Sequence, residues 1–216
     1  LGRRWWRAGR LQAKQNTFDD FVAARDALVA AGWAGEDGVV SRGWAAGGPL
    51  QGAGGPFLGT GGPLQGAVFS QAPQRFAAVV AEMPFVDVVT ALSDPSLPLP
   101  ARERDEWGDP VNDPKAFAAM LAWSPYDNPP PSGKRSPLLV TGALDAPRAL
   151  VTGPAKWVAK LRATDELEAP APLLFRVGLG SGPRAGAVGR IGQLRYEAEI
   201  LSWVLDRLGL VREATG

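Results

Sequence analysis

Gly43 and Gly47, in the run RGWAAGG, have the spacing of the G-x-S-x-G turn that lifts a nucleophilic serine off the end of a buried strand. Such a turn needs small flanking residues, because it is sharp and its central residue is strained. The central residue here is Ala45, which keeps the small size but carries no hydroxyl. A glycine-rich loop after a strand can instead cradle phosphate, yet neither G-K-[ST] nor G-x-G-x-x-G follows a strand in this chain. Downstream, Asp145 lies in GALDAPR, just beyond an apolar run. A carboxylate there can orient a histidine by accepting its ring proton, or it can close a turn by bonding its own backbone. Ser181, in GLGSG, sits in a glycine-flanked loop suited to a general base, but serine is no base near neutral pH, and a plain surface turn is the other reading. Histidine and cysteine are both absent. Imidazole bases, His or Cys metal ligands, thiol nucleophiles and disulfides are therefore closed to the chain, and no metal or cofactor is expected. A Ser–Lys dyad lacks its S-x-x-K spacing.

These residues must be positioned by the elements around them. The runs 37–41 (DGVVS), 77–85 (AAVVAEMPF), 137–142 (PLLVTG) and 172–178 (PLLFRVG) read as short buried strands. A helix follows the basic opening, with Thr17 as cap and Asp20 as capping-box partner; Phe18, Phe21, Val22, Leu28 and Val29 line one face and Gly32 ends it. Residues 93–114, with five prolines and eight charges, read as loop, and a helical turn or two covers 114–122. Helices are expected at 153–163, with Pro154 early, and from about Gly192 to Gly209, with Leu194, Glu197, Leu201, Val204, Leu205 and Leu208 on one face. Apolar strands alternating with amphipathic helices predict an α/β domain, a mainly parallel sheet with helices on both faces. Such sheets place their chemistry in loops at the carboxyl ends of strands, which is where Ala45, Asp145 and Ser181 fall.

The composition sets outer bounds. A chain of 216 residues, 45% hydrophobic, suits one domain or a large piece of one. Its 23 basic and 22 acidic side chains leave a net charge of +1, without the basic excess of a nucleic-acid binder. No apolar run approaches the ~18 residues of a membrane span. GGPLQGA occurs at 47–53 and again at 61–67, which looks like a local tandem duplication and not a solenoid, since that needs at least about three stacked units.

Taken in order, LGRRWWRAGRLQAKQNTFDDFVAA, VVAEMPFVDVVTALSDPSLPL, DEWGDP, SPYDN and GPAKWVAKLR resemble the oligopeptidase B-like serine peptidases of the prolyl oligopeptidase family, over most of residues 1–210. The resemblance implies that residues 1–216 are part of an α/β-hydrolase catalytic domain, without the family's propeller and first strands, in a cytoplasmic enzyme that cuts short peptides after Arg or Lys. Short basic peptides are the implied partners, not nucleic acid or membrane, and the oligomeric state is left open. The family's G-G-S-A-G-G, G-L-N-D-P-R-V and G-A-G-H-G-G put the nucleophile position on Ala45, the triad aspartate on Asp145 and the histidine position on Ser181. The backbone N–H of Ala46 becomes an oxyanion donor. Aligning the second GGPLQGA copy moves the nucleophile position to Gly59, beside Thr60. Phe85 and Glu103 fall on the apolar wall and the carboxylate of the family's pocket for the basic residue. Read alone, Phe85 is ordinary core packing and Glu103 a solvated loop charge. With nucleophile and base replaced, no turnover is expected. The alternatives are a pseudoenzyme that binds basic peptides, or a sequence corrupted or redesigned in its glycine-rich segments.

Overall fold

A computed structural model describes residues 2–44, 61–97, 101–133, 135–145, 150–165, 170–180 and 187–211. In chain order the elements are α1 (Gly2–Ala8), a 3₁₀ turn (Leu11–Ala13), α2 (Gln15–Ala30), β1 (Val40–Trp44), α3 (Gly61–Gln71), β2 (Ala78–Glu82), α4 (Val88–Ser93), α5 (Ala101–Trp107), α6 (Pro114–Trp123), β3 (Leu138–Ala143), α7 (Thr152–Ala163), β4 (Leu173–Gly178) and α8 (Gly189–Arg207). The strands form one parallel sheet in the order β1-β2-β3-β4. The inner strands β2 and β3 are buried at every position, as their unbroken apolar runs require.

Each strand pairs with the next one in sequence, so the crossovers share one hand and put their helices on one face. Phe69 of α3, Met120 and Trp123 of α6, and Trp157 and Leu161 of α7 pack there with Phe18 of α2 against Val79, Ala81, Leu138 and Val140. Phe69 meets Trp157 edge-on at 5.7 Å, and Phe18, Trp123 and Trp107 follow one another at 5.4 and 5.6 Å. On the other face α8 lays Tyr196 and Ile200 over Val80 and Leu139. The expected parallel sheet with helices on both faces is the one observed.

Several local expectations need correction. Thr17 does not cap α2, which starts two residues earlier; its Oγ1 donates to the Gly9 carbonyl at 2.8 Å instead, and Asp20 lies within the helix. Leu28 of the expected core face is exposed, because the packing of α2 ends near Arg25. Gly32 does end the helix, at φ 75°. β1 lies at 40–44 and not at 37–41, since its charged Arg42 is matched by Glu82 on β2. The stretch read as loop contains α5. The leucine face of α8 points outward: Leu201 is 46% exposed while Ile200 is 0%. Tyr196, Ile200 and Trp203, with Val204 alone of the expected apolar face, pack toward the sheet in its place. No helix among the described residues is long and apolar enough to cross a membrane.

Candidate active site

Parallel strands bring their carboxyl ends to one edge, where Trp44, Glu82, Thr141 and Arg176 stand in successive register. β1 runs to Trp44, so Ala45 follows the strand directly. Ala45, Ala46 and Ser181, with Gly59 and Thr60 of the other alignment, lie outside the described residues. Asp145 is exposed in the turn that closes β3. Its neighbour Leu144 donates its N–H to the Gly178 carbonyl at 2.9 Å, tying this turn to the end of β4, from which Ser181 follows. The ends of β1 and β3 are two strand spacings apart, roughly 10 Å.

Beneath this edge is a polar network that sequence reasoning did not single out. Arg42 donates through Nε to Glu82 Oε1 at 2.6 Å, and through Nη1 and Nη2 to Glu197 at 2.5 and 2.8 Å. The Tyr196 hydroxyl donates to Glu82 Oε2 at 2.7 Å and lies 3.0 Å from Thr141 Oγ1. One charged cluster thus joins β1, β2, β3 and α8 near the carboxyl ends of the strands. Burial, and then the charge of Glu82, push the Tyr196 hydroxyl well above the ordinary tyrosine range. The Glu197 carboxylate, and behind it Glu82, hold Arg42 above the usual arginine value. The signal for this cluster was Glu82 itself, an acidic residue inside an apolar strand, which is almost never buried without a partner.

The second half of the site begins where β2 stops. Met83 takes a left-handed conformation (φ 47°), at a cost of about 1–2 kcal/mol for an L-residue. Pro84 then cannot donate to the ladder. The chain leaves the sheet and carries Phe85 to within 6.4 Å of Trp107, ring centroid to ring centroid. Trp107, the last residue of α5, donates its Nε1–H to Glu103 Oε2 at 2.7 Å, one turn back on the same helix. Gly108 (φ 98°) ends α5; a Cβ there would stand 2.9 Å from that of Ala116, so α6 packs close on this helix end. Glu103 is 0% exposed, which overturns its reading as a solvated loop charge. It lies at the inner wall of an open cavity of about 430 Å³ shared with Leu92, Asp94, Arg104 and Asn112. The structure therefore joins Phe85 and Glu103 through Trp107.

The parallel sheet, with its crossing helices on one face and its last helix on the other, fits part of an α/β-hydrolase catalytic domain. The prolyl oligopeptidase family matches residues 1–54 and 59–208. Among curated relatives, dipeptidyl aminopeptidase BI of Pseudoxanthomonas mexicana is 37% identical over 97% of this chain and 26% of its own. Protease 2 of Moraxella lacunata is 38% identical over 99% of this chain and 28% of its own. The solved structure of oligopeptidase B from Leishmania major superposes with a TM-score of 0.81 at 33% identity, covering 98% of this chain and 27% of that one. The chain belongs to the prolyl oligopeptidase family. It spans about a quarter of the length of these relatives.

Proposed function

We propose that this chain is catalytic-domain sequence of an oligopeptidase B-like serine endopeptidase, a cytoplasmic family cutting after Arg or Lys, and that it binds the basic residue of a short peptide without cutting it. The observation that carries this reading is Glu103, a carboxylate withdrawn from water and bonded to Trp107, against which Phe85 packs, at the wall of an open cavity. A buried carboxylate favours a guanidinium, whose planar fork matches its two oxygens. The absence of turnover rests on the sequence and the resemblance: the chain holds no histidine, and the resemblance puts Ala45, or Gly59 in the other alignment, at the nucleophile position and Ser181 at the base position. Losing either group from a serine triad costs about a millionfold in turnover. Asp145 alone has no imidazole to orient.

An arginyl amide substrate tests the second half: no amine release and no labelling by a fluorophosphonate are expected, and release blocked by that reagent would refute it. Calorimetry tests the first half, with an arginyl peptide bound by the native chain and lost in Glu103→Gln. Equal binding by both would refute the pocket. An altered sequence is favoured by one observation, the GGPLQGA that opens α3 and repeats the run at 47–53. Clean in-frame reads of the encoding DNA across Gly43–Ala67 and Gly178–Gly192 would dismiss it.

A further inference from the structure

The helix that carries Glu103 is short, and seven residues cannot hold a helix in water by propensity alone. Something outside α5 fixes it. Glu106, one turn on from Glu103, is as deeply buried as its partner: Lys14 Nζ meets Glu106 Oε1 at 2.5 Å, with the two side chains 3% and 4% exposed. Trp6 Nε1 donates to the other carboxylate oxygen at 2.8 Å. Arg10, stacked over the Trp6 ring at 4.1 Å, donates to the Asp105 carbonyl at 2.9 Å. Lys14 does one thing more. Its ammonium lies 4.7 Å from the centroid of Trp107, the ring whose N–H is bonded to Glu103. The ring is therefore gripped twice, by a cation at its face and by Glu103 at its edge, and it cannot rotate without breaking both.

We propose that Lys14 and Trp6, acting through Glu106 and Trp107, are positioning residues for Glu103 and set its preference for a cationic side chain. The proposal rests on the reading of Glu103 as the carboxylate for a basic residue. A bidentate partner needs its two oxygens presented in a fixed plane, and the Lys14–Glu106 pair holds the helix and ring that fix it. Neither Lys14 nor Trp6 need touch the peptide.

Calorimetry with an arginyl peptide and its citrulline counterpart, equal in shape but uncharged, tests this on the full chain. Lys14→Met and Glu106→Gln are expected to weaken arginyl binding by about tenfold and to shrink the arginine-to-citrulline ratio, while Lys14→Arg restores much of both. Trp6→Phe deletes the donor and keeps an aromatic ring at a half-exposed position, so it provides a milder variant with a smaller change in the same direction. A mere loss of stability would lower the folded fraction without altering the ratio. A folded Lys14→Met or Trp6→Phe with the native affinity and ratio would overturn the positioning role, provided Glu103→Gln abolishes the preference. If Glu103→Gln leaves the preference intact, the pocket reading falls and this inference falls with it.

Discussion

Replacing Tyr196 with phenylalanine removes one oxygen atom from the cluster that joins three strands to α8. The ring stays buried over the sheet, Glu82 keeps Arg42, and Thr141 Oγ1 keeps the Met83 N–H at 3.3 Å. What is lost is a hydroxyl bonded to a buried carboxylate at 2.7 Å. A hydrogen bond to a charged group contributes about 1.5–3 kcal/mol, so the variant should lose about 2 kcal/mol at neutral pH. For a chain of this size that is roughly 4–8 °C in Tm. The same substitution changes the response to alkali. The Tyr196 pKa is raised in the fold, so its contribution is complete below the unfolded value near about 10 and declines as pH rises from there toward the folded value. Wild type should lose stability over that window faster than Tyr196→Phe, and the gap between them should narrow. Urea unfolding followed by tryptophan fluorescence, at neutral pH and above pH ~10, measures both. A loss below about 0.5 kcal/mol at neutral pH, or parallel alkaline declines, would refute the network as drawn.

Two further substitutions test the packing. Ile200→Ala should cost about 2–5 kcal/mol, and its neighbour Leu201→Ala no more than about 0.5; equal costs in urea unfolding would contradict the orientation of α8. Gly66→Ala should destabilise the chain, because a Cβ there falls 2.6 Å from the rigid ring of Pro125. Overpacking of roughly 1–3 kcal/mol outweighs the roughly 1 kcal/mol that alanine gains in a helix, and a more stable variant would show that α3 does not sit against that ring.

β3, β4, α6 and α7 were legible to within a residue or so, because their apolar runs are bounded by proline and glycine and their partners are other apolar runs. β1 was misplaced since Arg42 does not look like a strand residue; only Glu82, forty positions on, makes it one. α5 was hidden for the same reason. Its proline-flanked, charge-rich stretch reads as loop, and what makes it a helix is Lys14 against Glu106 and Trp107 against Trp123, both partners distant in the chain. α8 carries two apolar stripes, and periodicity cannot say which one meets a sheet. At the candidate site the proposed loss of nucleophile and base rests on the sequence alone, on the glycines that flank Ala45 and Ser181. The burial of Glu103 and its bond to Trp107 were not, because burial is a property of the assembled core.

The central proposal is that Ala45, Asp145 and Ser181, which follow the ends of β1, β3 and β4 in sequence, meet in the folded chain. The chain has no cysteine, so pairs of introduced cysteines can be read without background. Ala45→Cys, Asp145→Cys and Ser181→Cys, combined two at a time and treated with dibromobimane, fluoresce fully only when one reagent bridges both thiols. The account predicts bridging for all three pairs in the folded chain and its loss in urea. A folded pair that takes up the reagent singly at each thiol, without bridging, would contradict it.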